Sequence, residues 1–373
     1  MAQVKTVPVA ELASSIKVSD NGGSYDRLGE TIILNSDWAQ KHLSSEKKTG
    51  IEPPPFGVAT IEDAIVCGEG VILKLISGVL CVAAETVHDD SSPRSILPLT
   101  RDESGALDMR LDLKPRRLDR NHIYVFLRQL TDNNYGHWIT EVLPKVAIVA
   151  DHFDITRLKF IVTRHIFLRP SWPMRQIYFD SLAALGVKRH QIVPMAREAT
   201  EVGELLFPLP MALHPLAKAP RTIEILEGIR NRLVTRNEAP RRLYVSRARA
   251  RTRRLLNEAE ILDILRDFGV TTVYPERLSF AEQVRLFAQA ELVIGNCGAN
   301  LTNAVFSPRG VKIFALTTEV MKDDFFWDLA NLKAGKYFSL HGKAAVPNPD
   351  IGSDFEIDPV QFRDFLEERV LPV

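Results

Sequence analysis

The sequence predicts an α/β protein of two domains, the second Rossmann-like, and three observations carry that expectation. Its 373 residues exceed what one ordinary core, typically of about 100–200 residues, accommodates. From residue 123 onward, short apolar runs alternate with helix-length amphipathic segments, the signature of a parallel sheet covered by helices. The stretch 208–220, carrying Pro208, Pro210, Pro215 and Pro220, interrupts this alternation before a second β/α series begins.

Residues 1–55 read as a loosely structured lead-in that ends in Glu52-Pro53-Pro54-Pro55, which neither helix nor central strand tolerates. Apolar runs over 59–85, separated by Gly68 and Gly70, predict consecutive strands of a small antiparallel sheet. The polar, proline-punctuated residues 89–120 read as loop. Strands follow at 123–127, 159–162, 191–193 and 204–207. The second series has strands at 242–245, 271–274, 292–294 and 311–316. Helices are expected at 258–268, at 279–289 and from about Ala299. Ser279 and Glu282 form the pattern of a capping box. The expected domains are 1–207, with a β-rich part at 56–90 and a Rossmann-like part at 121–207, and 221–345, joined by 208–220. A terminal helix within 346–373 is placed on either domain.

Composition narrows the function classes. Hydrophobic residues make up 45% and charged residues 25%, the balance of a globular protein. Lys plus Arg equals Asp plus Glu at 47 each, so no global field attracts nucleic acid, and any basic site is local. Cys67, Cys81 and Cys297 are too few and too scattered for a disulfide framework or a zinc cluster. With no apolar leader at the N-terminus and no membrane-length apolar run, the expected compartment is the cytoplasm. A peripheral place at the inner membrane face is the setting for a lipid-linked acceptor.

Three segments hold candidate chemistry. Residues 291–303, Glu-Leu-Val-Ile-Gly-Asn-Cys-Gly-Ala-Asn-Leu-Thr-Asn, run from a buried strand through a small-residue turn into a helix. Gly295 and Gly298 let a ligand approach the backbone there, and the helix start suits a diphosphate. The other reading is a plain tight βα connection. Residues 241–254 concentrate seven arginines in fourteen positions, most of them immediately after a predicted strand. Arg247 and Arg253 are the candidates for phosphate, because a planar guanidinium neutralises a leaving diphosphate. Arg249 and Arg251 read as a solvated basic loop. In Asn133-Asn-Tyr-Gly-His-Trp-Ile-Thr-Glu141, His137 and Glu141 lie four apart and share a helix face. Either is a candidate base for a hydroxyl, with the other orienting it. The alternative is a structural (i, i+4) hydrogen bond, with Asn134 as helix cap.

Taken in order, Asn-x-x-His-x-x-x-Glu-x-x-Pro, then Ser-Arg with Arg-Arg-x-x-Asn-Glu, then Gly-x-x-Gly-Ala-x-Leu-x-Asn, the segments resemble glycosyltransferase family 61. Its bacterial members are often labelled capsular polysaccharide biosynthesis proteins. The resemblance is strongest over 241–310 and extends to 123–144. It implies a GT-B-type architecture of two facing Rossmann-like domains, here with a small N-terminal β-rich subdomain. It also implies inverting transfer from a nucleotide-sugar donor to a glycan or lipid-linked saccharide, without a cofactor or bound metal. Carried over by position, it points to Asn134, His137 and Glu141 on the acceptor side. On the donor side it points to Ser246, Arg247, Arg253, Arg254, Asn257, Glu276, Gly298, Ala299, Leu301 and Asn303. Cys297 stands where the family commonly has His. That departure motivates the alternative of a catalytically silent nucleotide- or glycan-binding protein. A Rossmann oxidoreductase is less suited, because no Gly-x-Gly-x-x-Gly follows the first strand. No Asp-x-Asp sits at a predicted strand end in the second domain, and Asp323-Asp324 reads as a solvated helix start.

Overall fold

The computed structural model describes residues 2–20, 22–27, 32–34, 49–87, 96–109, 115–213, 217–234, 238–321 and 324–372. The chain forms two compact units, one of Met1–Asn21 with Pro55–Met211 and one of Gly22–Pro54 with Ala212–Val373.

The first unit is built on a mixed sheet. Its main strands are β1 (Ala2–Val7), β2 (Phe56–Cys67), β3 (Val71–Ile76), β4 (Val79–Ala83), β5 (Ile123–Phe126), β6 (Leu158–Thr163), β7 (Ile192–Met195) and β8 (Thr200–Pro208). Their order is β7-β6-β5-β8-β2-β3-β4-β1. β5, β6 and β7 are parallel neighbours, whereas β8 and β2 pair antiparallel along most of their length. Helices α1 (Pro144–Ala150) and α2 (Met174–Ala184) supply the α part of the β/α alternation. Tyr124, Phe126, Ile161, Val202 and Leu205 join Ile61, Val66 and Ile72 in one core, so the β-rich part and the parallel part share their apolar interior.

Two readings of this half are corrected. The start of the lead-in is strand, because Val4 and Val7 are buried and residues 5–7 pair with β4. The expected loop 89–120 contains strands Leu99–Arg101, Leu107–Met109 and Arg116–Arg117, and its residues 89–95 and 110–114 lie outside the described residues. Leu99, Leu107 and Met109 anchor the first two of these strands in a second apolar cluster. Polar flanks concealed these short strands from pattern reading.

The second unit has a parallel sheet in the order β10-β9-β11-β12-β13. The strands are β9 (Arg242–Val245), β10 (Thr271–Val273), β11 (Leu292–Asn296), β12 (Lys312–Thr318) and β13 (Lys336–Ala344). Around it lie α3 (Pro220–Leu233), α4 (Glu258–Asp267), α5 (Phe280–Phe287), α6 (Phe325–Leu332) and α7 (Pro359–Phe365). The expected capping box is present, with Ser279 Oγ accepting from the Glu282 amide and the Glu282 carboxylate accepting from the Ser279 amide. The terminal helix packs in this unit, where Phe362, Leu366 and Val370 join Phe314 and Leu265 in the core.

β13 was missed from sequence because an interior strand with Ser339 and His341 breaks the apolar pattern. The two side chains satisfy each other at 2.9 Å, and His341 Nδ1 lies 3.1 Å from the Thr318 carbonyl oxygen. The segment Gly22–Pro54, part of the expected lead-in, belongs to this unit: Ile32–Leu34 pairs with β13, and Arg27 bridges Asp324 and Asp328 in the interior. Asp324 is therefore not a solvated helix start but a buried partner of Arg27, 2% exposed. Asp323 lies outside the described residues. No described helix is long and apolar enough to cross a membrane.

Candidate active site

In the first unit, Asn134 opens a helical segment by accepting the Gly136 amide on its side chain at 2.9 Å. The chain then runs through a π-helical stretch, Trp138–Val142, before α1. Such wide turns are uncommon and frequently mark functional sites. Trp138 fixes the stretch: its Nε1 donates to Ser181 Oγ at 2.9 Å, and its ring lies 3.9 Å from that of Tyr178. Tyr178 in turn donates to the Asp132 carbonyl at 2.6 Å, tying α2 to the loop after β5.

His137 Nδ1 lies 2.9 Å from Glu141 Oε1. Glu141 Oε2 accepts from Gln129 Nε2 at 3.0 Å, and Gln129 Oε1 accepts from Lys145 Nζ at 2.6 Å. The line runs from a partly exposed imidazole, through a nearly buried carboxylate, to a buried ammonium. Burial pushes Lys145 down to about 8, against the opposing pull of Glu141 and Asp132. Gln129 and Lys145 escaped sequence reasoning; the only signal was a lone lysine in the apolar run of α1.

In the second unit, β9 delivers Ser246 and Arg247 to its carboxyl end. Ser246 is buried and its Oγ accepts the Ala248 amide at 3.2 Å, shaping the turn. The Arg247 guanidinium lies against Gly298, where any Cβ would overlap it. One Arg247 terminal nitrogen donates to the Thr252 carbonyl at 3.2 Å. Arg253 adopts the left-handed region with φ +57°, its amide bonded to the Gly352 carbonyl and its own carbonyl to Asn296 Nδ2 at 3.0 Å. The Nε atoms of Arg247 and Arg253 are both buried and without a hydrogen-bond partner, as is Asn296 Oδ1. Burial and the neighbouring charge of Arg253 push Arg247 down to about 10, with Cys297 and Glu276 opposing. The two guanidiniums are near enough for Arg253 to act on Arg247, and each keeps a buried Nε donor unused, which an anion reaching it would satisfy. Two strands over from β9, the Thr317 and Thr318 hydroxyls at the carboxyl end of β12 are likewise buried and unpaired.

The remaining sequence candidates divide. Exposed Glu276 accepts from Asn300 Nδ2 at 3.1 Å, beside Ala299 on the same turn. Arg254 is held by Asp354, at 2.6 Å from one of its terminal nitrogens. Asn257 donates to the Ile357 carbonyl at 2.7 Å and accepts its amide at 3.2 Å. Asn303 is fully buried and donates to Gln283 Oε1 at 3.0 Å. Leu301 is core. Arg254, Asn257 and Asn303 thus bind their own chain.

Two details of the turn are also corrected. Gly295 serves strand packing, because a Cβ would lie 2.9 Å from the Val245 carbonyl oxygen. Ala299–Phe306 is a 3₁₀ rather than an α-helix. Cys297 is buried and takes part in no disulfide. Among the described residues, no group of three or more His, Cys, Asp or Glu is gathered as a metal site.

Most of both sets of residues, though not Gln129, Asn134, Thr317 or Thr318, fall inside one matched segment. Residues 135–314 match the family model described as Glycosyltransferase 61. Over 82 residues the chain is 34% identical to the protein O-linked-mannose beta-1,4-N-acetylglucosaminyltransferase 2 of Mus musculus, covering 21% of this chain and 14% of that protein. Over 112 residues it is 35% identical to the EGF domain-specific O-linked N-acetylglucosamine transferase of Drosophila melanogaster, covering 29% of this chain and 21% of that one. The Glycosyltransferase 61 match begins just before His137 and ends within β12, so it contains Glu141, Arg247, Arg253 and Gly298.

Proposed function

We propose that this chain is an inverting glycosyltransferase of GT-B type, moving a sugar from a nucleotide-sugar donor to a hydroxyl of a glycan or lipid-linked saccharide. The observation that carries the reading is the Arg247 and Arg253 pair, whose buried Nε donors have no partner within the matched segment. Both relatives are named for transfer of N-acetylglucosamine, so its nucleotide-activated form is the first donor to test. Capsule or other surface polysaccharide synthesis is the proposed setting for the acceptor.

In the proposed reaction His137 is the base and Glu141 its orienting partner. Glu141 has both oxygens engaged and is the less exposed of the two, 9% against 20%. His137 takes the proton of the acceptor hydroxyl as its oxygen attacks the anomeric carbon. The bond from that carbon to the diphosphate breaks, and the nucleoside diphosphate leaves with the electron pair. Arg247 and Arg253 neutralise the charge that develops on it, the task a metal performs in other transferases. Turnover that persists in excess chelator supports this metal-free form; loss of turnover restored by manganese refutes it.

A second reading, a silent nucleotide- or glycan-binding protein, rests on Cys297, since a buried thiol does not replace a protonated imidazole beside a diphosphate. Release of nucleoside diphosphate from the sugar donor separates the two.

A further inference from the structure

Beyond the carboxyl ends of the parallel strands β5, β6 and β7 lies a cavity of about 240 Å³ within the first unit. Ligands of open α/β sheets bind outside strand carboxyl ends. The volume lies just under the range of about 300–1,000 Å³ typical of drug-sized ligands, and suits one sugar unit.

Each of the three strands is followed by an arginine that lines this space: Arg128, Arg164 and Arg197. Two of them are matched. Arg128 Nε donates to Asp132 at 2.6 Å in the interior, and a terminal nitrogen donates to the Met195 carbonyl at 3.2 Å. Arg197 is paired with Glu69. Arg164 is half-buried, and its side chain has no partner among the described residues. Burial, then the charges of Arg169, Arg197 and Arg128, hold the adjacent His165 below the ordinary imidazole value, against the pull of Asp132. Asn133 and Glu198 on the wall offer donors and acceptors to sugar hydroxyls.

We infer that this cavity is an acceptor subsite for a saccharide bearing an oxyanion, a carboxylate or a phosphate, with Arg164 as its counter-ion. The inference rests on reading the first unit as the acceptor side. A guanidinium presents paired donors to such a group, and a partly desolvated one strengthens the contact. The pairs Arg128–Asp132 and Arg197–Glu69 hold the flanking walls in place, leaving the half-buried Arg164 guanidinium inside and the exposed Glu198 carboxylate at the rim.

The test uses the full chain with three probes, glucuronate, glucose 1-phosphate and glucose, and ligand-detected NMR to rank affinities. At least one anionic sugar is expected to bind tenfold or more tightly than glucose. A glucuronate preference identifies a carboxylate acceptor, and a glucose 1-phosphate preference a phosphorylated one. Arg164→Gln is expected to erase the preference and Arg164→Lys to restore part of it. Equal binding of all three probes, absence of binding, or a preference unchanged in Arg164→Gln overturns the inference. Uridine diphosphate binding, measured on the same samples, reports separately on the donor site and on folding. Its absence in the wild type counts against a uridine diphosphate donor and not against this subsite.

Discussion

The Glu141 carboxylate bridges two side chains, accepting from Gln129 on one oxygen and meeting His137 Nδ1 at 2.9 Å with the other. This arrangement orients an imidazole rather than freeing a carboxylate, and it separates the two candidate bases. His137→Ala is expected to lower turnover by about 10²–10⁴-fold, the usual worth of a general base. Glu141→Gln is expected to cost less, since it removes orientation and charge but not the base. Steady-state kinetics check this. Near wild-type turnover in both variants, at saturating substrates, contradicts the assignment.

Gly298 gives up its side-chain space to the Arg247 guanidinium. Gly298→Ala is therefore expected to displace that guanidinium and weaken nucleoside diphosphate binding by about tenfold or more, the worth of one charge-assisted hydrogen bond. Calorimetric titration measures it. Unchanged affinity would mean that Arg247 does not hold the diphosphate.

Asn257 and Asn303 spend their side chains on their own chain. Alanine at either position is expected to cost about 1–3 kcal/mol of stability by leaving buried groups unpaired, with the diphosphate dissociation constant unchanged. Denaturant unfolding gives the first quantity and titration the second. A large loss of affinity without loss of stability would return them to the ligand site.

Lys145 gives a pH dependence with a definite sign. Its folded value, about 8, lies below the ordinary 10.5, so between these values the unfolded chain holds the extra proton. Stability contributed through this residue is accordingly lowest below pH 8 and rises as pH climbs from about 8 to 10.5. The difference in unfolding free energy between wild type and Lys145→Met should grow in favour of wild type across that window. A flat difference would place Lys145 in a more solvated environment than its burial indicates.

The parallel strands and the arginine-rich turn were legible in the sequence because their apolar runs end in small or basic residues. Pattern reading failed where tertiary pairing satisfies polar groups. β13 hides Ser339 and His341 inside the sheet, and Arg27 reaches Asp324 and Asp328 about 300 positions away. The site divided in the same way. The four-residue spacing of His137 and Glu141 was readable, but Gln129 and Lys145 join them only through folding. Asn257 and Asn303 match the motif, yet their bonds lie within the chain, a distinction that spacing does not encode.

Whether Arg247 holds the diphosphate of a sugar donor is read from thermal unfolding of wild type and Arg247→Ala against a panel of nucleoside diphosphates and nucleotide sugars. At about 100 times its dissociation constant, the correct ligand should add roughly 2.7 kcal/mol to the wild type and nothing to the variant. No response from the wild type to any member of the panel, or an equal response from both proteins, would contradict the account.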